Sequence, residues 1–405
     1  METRPRNVEM YSDPVFGQSF AVDGSATVSE RSRIAEVAAV FLKLGTIGFG
    51  GPAAHVALME AEVVRRRRWL DRQAFLDLLG VVNLIPGPNS TELALYLGGI
   101  RAGWPGLFVA GAAFILPAML LVLAFAWVYV RFGARPEIDW ALYGVKPVVI
   151  ALVIRVIGDL GTVAVKGPVT FAGGALALAL SLWGVDPVLL LFAVATAVAF
   201  GEAGSRFRII LPPLLGGLTV APVPGAAAPG LTAIFLVFLK YGAVIFGSGY
   251  TLLAFLEADL VHRFGWVTQR ELLDAIAIGQ FTPGPLFTTA TFIGYLLAGV
   301  PGALLATAGI FLPFFVLVAA TRPIVSRLRQ SRVAATFLDG ANVASLGLLV
   351  MVVLELASEA LTDAPAMAIG AAAMTALWLT RIHPGWLVAI GAIIGVLARA
   401  LETFG

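Results

Sequence analysis

Two lysines stand where an apolar chain seldom keeps a charge. Lys43 lies seven residues before Gly50-Gly51-Pro52, and Lys240 lies seven before Gly247-Ser248-Gly249, each within an apolar segment. A cation inside a bilayer costs about 2.5–3.5 kcal/mol on insertion scales, so a retained lysine needs a partner. An anionic substrate is one such partner, two ammonium groups answering one dianion. Snorkelling toward the interface, or a structural pair with Glu60, Glu257 or Glu92, is the alternative.

The glycine runs add a second source of positive potential. A helix broken inside a membrane exposes the N–H groups of the half-helix that follows, and that terminus carries about +0.5 of a charge. Pro86-Gly87-Pro88 and Pro283-Gly284-Pro285 open two further helices, proline suiting a first helical position because its N–H is absent anyway. Four termini gathered at one point would sum to about +2. The competing reading is that Gly and Pro only permit kinks and close packing. Asn89, Ser90 and Thr91 follow the first turn, and Thr288 and Thr289 the second. Such groups cap helices and equally suit the oxygens of an oxyanion.

Among the acids, Glu92 is the candidate to carry a coupling proton, because its counterpart in the second half is Thr289 and symmetry does not account for it. A pair with Lys43 is its alternative. Glu60 and Glu257 lie near helix ends and are further proton candidates, as is His55, one turn past a glycine break, although a packed neutral histidine would look the same. No base and nucleophile stand clustered for catalysis. The chain has no cysteine and three histidines (His55, His262 and His383) without metal-ligand spacing, so neither a metal nor a cofactor is expected.

The elements that must position these groups are read from a repeat. Shifted by 197 positions, Lys43 meets Lys240, Glu60 meets Glu257, Trp69 meets Trp266, Asp77 meets Asp274, and each Pro-Gly-Pro meets the other; shifted by 196, Gly98 meets Gly294, Pro105-Gly106 meets Pro301-Gly302, and Gly144 meets Gly340. Hydrophobic residues make up 59% of the chain and charged ones 13%, with a mean hydropathy of +0.92. Residues 104–130, 209–239 and 275–321 hold no Asp, Glu, Lys or Arg. A soluble fold would leave too much of this surface in water, and scattered basic residues argue against nucleic acid.

These patterns predict an all-α polytopic membrane protein built from two inverted repeats, with the lipid bilayer as its surroundings. Residues 1–30 form a disordered cytosolic tail, 31–208 the first repeat, 209–229 a linker that crosses once, and 230–405 the second repeat. Each repeat starts with a broken segment (32–64 and 230–262). A re-entrant hairpin around Pro-Gly-Pro follows, its arms about 14 residues or roughly 21 Å, too short for a core of about 30 Å. Four longer segments complete each repeat. Arg65 to Arg68 mark the cytosolic side. Inverted repeats with broken helices place a substrate site near the midplane, as in secondary transporters.

The run from Phe41 to His55, with Phe49-Gly50-Gly51-Pro52 inside it, resembles the FGGP motif of chromate transporters, and the stretches Leu84 to Thr91 and Phe281 to Thr288 resemble that family's two PGP motifs. The resemblance covers residues 32–403 and both repeats. It implies active export of chromate across the cytoplasmic membrane, conferring resistance, with sulfate as a close analogue. It also implies an oxyanion site at Gly50, Gly51, Pro52, the Pro-Gly-Pro turns, Lys43 and Lys240. The second half departs from the family pattern, with Phe246-Gly247-Ser248-Gly249-Tyr250 in place of a third consecutive glycine and a following histidine. Export or exchange of sulfate or another oxyanion, a passive anion channel, and an intramembrane enzyme acting on a lipid phosphate remain as alternatives. A homodimer is a further expectation.

Overall fold

The computed structural model describes residues 8–12, 19–23, 29–83, 85, 87–133, 135–203, 229–245, 249–321, 332–380 and 382–404. Pro86, Gly247 and Ser248, and nearly all of the 209–229 linker, lie outside these. Within the segment expected as a tail, Val8–Ser12 pairs antiparallel with Ser19–Asp23.

All other described elements are helical. In the first half they are α1 (Glu30–Ile47), α2 (Gly51–Met59) continuing as a π-helical turn (Glu60–Arg66), α3 (Arg72–Val82), α4 (Asn89–Phe132), α5 (Pro136–Ala164), α6 (Pro168–Leu182) and α7 (Pro187–Ala203). The second half repeats them as α8 (Leu231–Val244), α9 (Thr251–Phe255) with a π-helical turn (Leu256–Arg263), α10 (Gln269–Phe281), a 3₁₀ turn (Leu286–Thr288) leading into α11 (Thr289–Thr321), α12 (Arg332–Ala360), α13 (Ala364–Leu379) and α14 (Pro384–Phe404). Among the described residues five of these helices are long and apolar enough to cross a membrane, and α6, α7, α8 and α13 are shorter apolar helices. The chain is an all-α polytopic membrane protein. Outward-facing Phe108, Leu120, Leu304 and Leu397, each about half exposed, present apolar surface to lipid, where it costs nothing.

Local chemistry sets the helix ends. Asp71 caps α3 by accepting from the Ala74 N–H at 2.8 Å. Its repeat equivalent Thr268 forms a capping box with Glu271 at the start of α10. Both α4 and α11 bend sharply, at Ala102-Gly103 and Ala298-Gly299, where Gly103 (φ 64°, ψ −151°) and Gly299 (φ 60°, ψ −149°) occupy backbone reserved for glycine. Each bend folds the short first arm back on the long second one, so that Gly98 abuts Gly106 and Gly294 abuts Gly302. α3 with the first arm of α4, and α10 with that of α11, are therefore the two short hairpins expected around Pro-Gly-Pro.

Packing between the halves is exchanged. The core pair is α4 with α11, flanked by α1 and α8. There Gly45 meets the Phe114 carbonyl, and Gly242 the Ile310 carbonyl. Beyond that pair, α5 of the first half packs on α13 and α14 of the second, and α12 packs on α6 and α7 of the first. Bare glycine surfaces make this possible: Gly144 touches the backbone of Gly391 and Gly395, and Gly340 touches Ala195.

Candidate functional site

The first glycine break ends α1 at Gly48. Gly50 (φ 100°) and Gly51 (φ 77°) follow. Two consecutive left-handed residues are a conformation that side chains rarely tolerate, and Pro52 then starts α2. The Gly48 carbonyl, freed from helical bonding, accepts from His55 Nε2 at 2.8 Å and from the Gly284 N–H at 2.7 Å. The second Pro-Gly-Pro turn thus docks into the first break. Gly51 in turn faces the Tyr250 hydroxyl, which donates to Gln280 Oε1 at 3.2 Å. The breaks and turns of both halves meet in one region.

That contact is doubled by pseudo-symmetry. Gly87 of the first turn lies against Phe314 of α11, and Gly284 of the second lies against Ala118 of α4; the two contacts are repeat equivalents. Phe314 continues to Phe287 (5.3 Å between ring centres), which packs on Gly249 of the second break.

Buried polar atoms collect around this junction. Glu92 is fully buried, and neither carboxylate oxygen has a hydrogen-bond partner; Oε1 lies against Gly87. Thr91 Oγ1, His55 Nδ1 and Gln280 Nε2 are also buried without partners. Buried polar groups are normally satisfied, so their concentration beside unwound backbone sets this junction apart from the surrounding core. Other candidates bond locally. Thr288 and Thr289 donate to the Pro285 and Leu286 carbonyls, each at 2.8 Å, and Asn89 donates to Asn83 at 2.6 Å. Ser90 is buried in the first turn of α4.

Both lysines have partners, though not the acids expected. Lys43 Nζ lies 2.9 Å from Glu62 and Lys240 Nζ 2.7 Å from Asp259, and these acids are themselves repeat equivalents. Lys43 is 44% exposed at its side chain, Lys240 only 7%. Both acids sit in the π-helical turns, and each accepts an i→i+5 hydrogen bond at its backbone carbonyl, from Arg67 N–H to Glu62 O and from Phe264 N–H to Asp259 O. An anion reaching either lysine would compete with a carboxylate already in contact. Glu60 instead meets Arg65 (3.2 Å) and Arg72 (3.5 Å), and Glu92 has no lysine.

Glu62 sits in a charged cluster with Lys43, Arg66 and Arg67; Arg67 also reaches Glu36, which Arg101 holds at 2.7 Å. Burial pushes the Glu62 carboxyl up, but hydrogen bonds from Arg67, Lys43 and Arg66 outweigh it and bring the group to about 2. A depressed carboxyl contributes stability above its unfolded value of about 4.3 and loses it as pH falls toward the folded value. Glu62→Gln is therefore expected to lower the unfolding temperature in detergent at pH 7, with the difference from the parent protein shrinking between about pH 4 and pH 2.

A third intramembrane lysine went unmarked in the sequence. Lys146 on α5 is buried and lies 3.0 Å from Asp274 on α10, which also accepts from the Tyr129 hydroxyl at 2.8 Å. It ties the exchanged helix of one half to the hairpin of the other. The available signal was a lone charge amid apolar residues, in Tyr143-Gly144-Val145-Lys146-Pro147-Val148.

Comparison with known proteins agrees with this arrangement. The family described as Chromate transporter matches residues 35–200 and again 232–396. A protein named probable chromate transport protein, from Synechococcus elongatus, is 32% identical over 88% of this chain and 93% of its own length. The chromate transport protein of Cupriavidus metallidurans is 31% identical over 93% of this chain and 96% of its own, and that of Pseudomonas aeruginosa 30% identical over 89% of each. No solved structure matches.

Proposed function

The chain belongs to the chromate transporter family, and from that premise we propose that it exports chromate from the cytosol across the cytoplasmic membrane by alternating access, as a secondary transporter that confers resistance. The observation that carries this reading is the junction itself. The Gly284 N–H reaches the Gly48 carbonyl, and the unpartnered polar atoms of Thr91, Glu92, His55 and Gln280 stand around it. Gly50, Gly51, Gly87 and Gly249 supply backbone N–H groups that can take over hydration of a tetrahedral anion, while Pro52 and the prolines of the Pro-Gly-Pro turns, which have no N–H, fix the backbone around them. In this reading the repeats are inverted, with Arg65 to Arg68 cytosolic. The half-exposed Lys43 meets the anion on entry, whereas Lys240 serves the fold. Glu60 is held by Arg65 and Arg72 and Glu257 lies beside Glu355 and His262, so in this reading the coupling proton is assigned to Glu92.

Electrostatics gives the direction. Moving one charge across 100 mV is worth about 2.3 kcal/mol; a dianion leaving an inside-negative cell therefore gains about 4.6 kcal/mol, or roughly three decades of gradient. Glu92 modulates this. Protonated, it offers an O–H to the anion; ionised, it repels it. Radiolabelled chromate should accumulate in proteoliposomes when a potential is imposed, sulfate should compete, and transport should fall as pH rises. Glu92→Gln, neutral at every pH, should flatten that pH profile. Absence of potential-driven flux from correctly inserted protein defeats the export reading, and an unchanged pH profile in the variant removes Glu92 from it.

A further inference from the structure

The π-helical turn of the second half carries a side-chain group that the first half lacks. Glu257, His262 and Glu355 each present a ligand atom, and these atoms all lie within 4.8 Å of one another. His262 Nε2 is 3.0 Å from Glu355 Oε2. Glu257 is 2% exposed. Its neighbours include the Gln269 amide at 3.4 Å, the Glu355 carboxyl and the His262 imidazole, and among the described residues no lysine or arginine is paired with it.

The repeat shows what is unusual here. Shifted back by 197 or 196 positions, Glu257 falls on Glu60, His262 on Arg65, Glu355 on Asp159 and Met351 on Arg155. In the first half each acid has its own arginine: Arg65 donates to Glu60 at 3.2 Å, and Arg155 to Asp159 at 3.1 Å. The second half has lost both guanidinium groups, put histidine and methionine in their places, and brought the two acids together. A buried carboxylate facing another carboxylate needs a cation or a proton between them.

One imidazole nitrogen with two carboxylates is a mixed donor set that suits first-row divalent ions better than calcium or magnesium, which prefer oxygen alone. The His262 side chain is 56% exposed and Glu355 29%, so an ion can reach these two from outside the fold while Glu257 closes the site from within. We propose that Glu257, His262 and Glu355 form a binding site for a first-row divalent cation, which clamps the second π-helical turn to α12. The proposal does not rest on the transported anion.

Titration calorimetry of tag-free protein in detergent at neutral pH with manganese or zinc chloride tests it. One saturable equivalent per chain is expected, and cobalt chloride should give a visible absorption band of a nitrogen- and oxygen-ligated ion. His262→Ala and Glu355→Gln should each weaken binding at least about tenfold, whereas Glu60→Gln, at the first-half counterpart, should leave it unchanged. Both test positions are partly exposed, and unfolding temperature verifies that the variants fold. No saturable binding, or equal binding in all variants, overturns the site. So does an infrared carbonyl band of a protonated carboxyl, lost in Glu257→Gln, in protein that binds no cation, since a proton would then hold the two acids together.

Discussion

Lys240→Ala is expected to destabilise the protein by about 3–5 kcal/mol, the usual penalty for stranding one member of a buried pair. Asp259 would remain, 3% exposed, with the Tyr241 hydroxyl at 3.2 Å and Arg263 only at 3.7 Å. Lys43→Ala, at the equivalent place, should cost less than about 1 kcal/mol, because its side chain is 44% exposed and Glu62 keeps Arg66 and Arg67. Thermal unfolding in detergent, followed by tryptophan fluorescence, reads both. Lys240→Met combined with Asp259→Asn removes the two charges together and leaves an acceptor for Tyr241, so it should recover most of the loss. Chromate flux through that double variant then separates roles. Transport near the parent rate makes Lys240 structural; a stable but silent protein makes it a substrate contact.

Gly87→Ala should abolish transport, by more than about a hundredfold. At φ 137° the added Cβ would meet Glu92 Oε1 and come within 2.7 Å of the Phe314 ring. Phe314 is fully buried and braced by Phe287 and Phe311, so it has little room to yield. The strain falls on the turn, the unpartnered carboxyl and the facing helix of the other half at once. Gly184→Ala is the control. It has φ 73° with nothing within 4 Å, and should cost only about 1–2 kcal/mol of backbone strain with flux retained. Equal transport in the two variants would show that the turn need not fit tightly.

Much of this was legible in the chain. Glycine and proline at matching places gave the breaks, the short hairpins and the separation of 88–101 from 104–131, because backbone that leaves the helix leaves a mark on residue type. Glu92 was identified by its mismatch with Thr289. The partners of the lysines were not legible: Glu60 and Glu62 stand two residues apart with equal chemistry, and nothing in Glu60–Arg66 says which of them faces Lys43 or announces a π turn. The docking of Gly284 on Gly48 was equally hidden, since a backbone bond between distant turns leaves no side-chain signature. Nor could the sequence say that α5 would lie against the other half, because the buried charge it carries, Lys146, does not reveal Asp274 as its partner.

That last feature has a consequence for what counts as one unit of this protein. Since α5 and α12 each find their cover across the molecular pseudo-axis, a lone half would leave a glycine-lined face bare and a pair of hosts empty. Two halves supply each other, whether or not a peptide joins them. Cohesion between the halves therefore resides in the arm-in-arm packing of their helices.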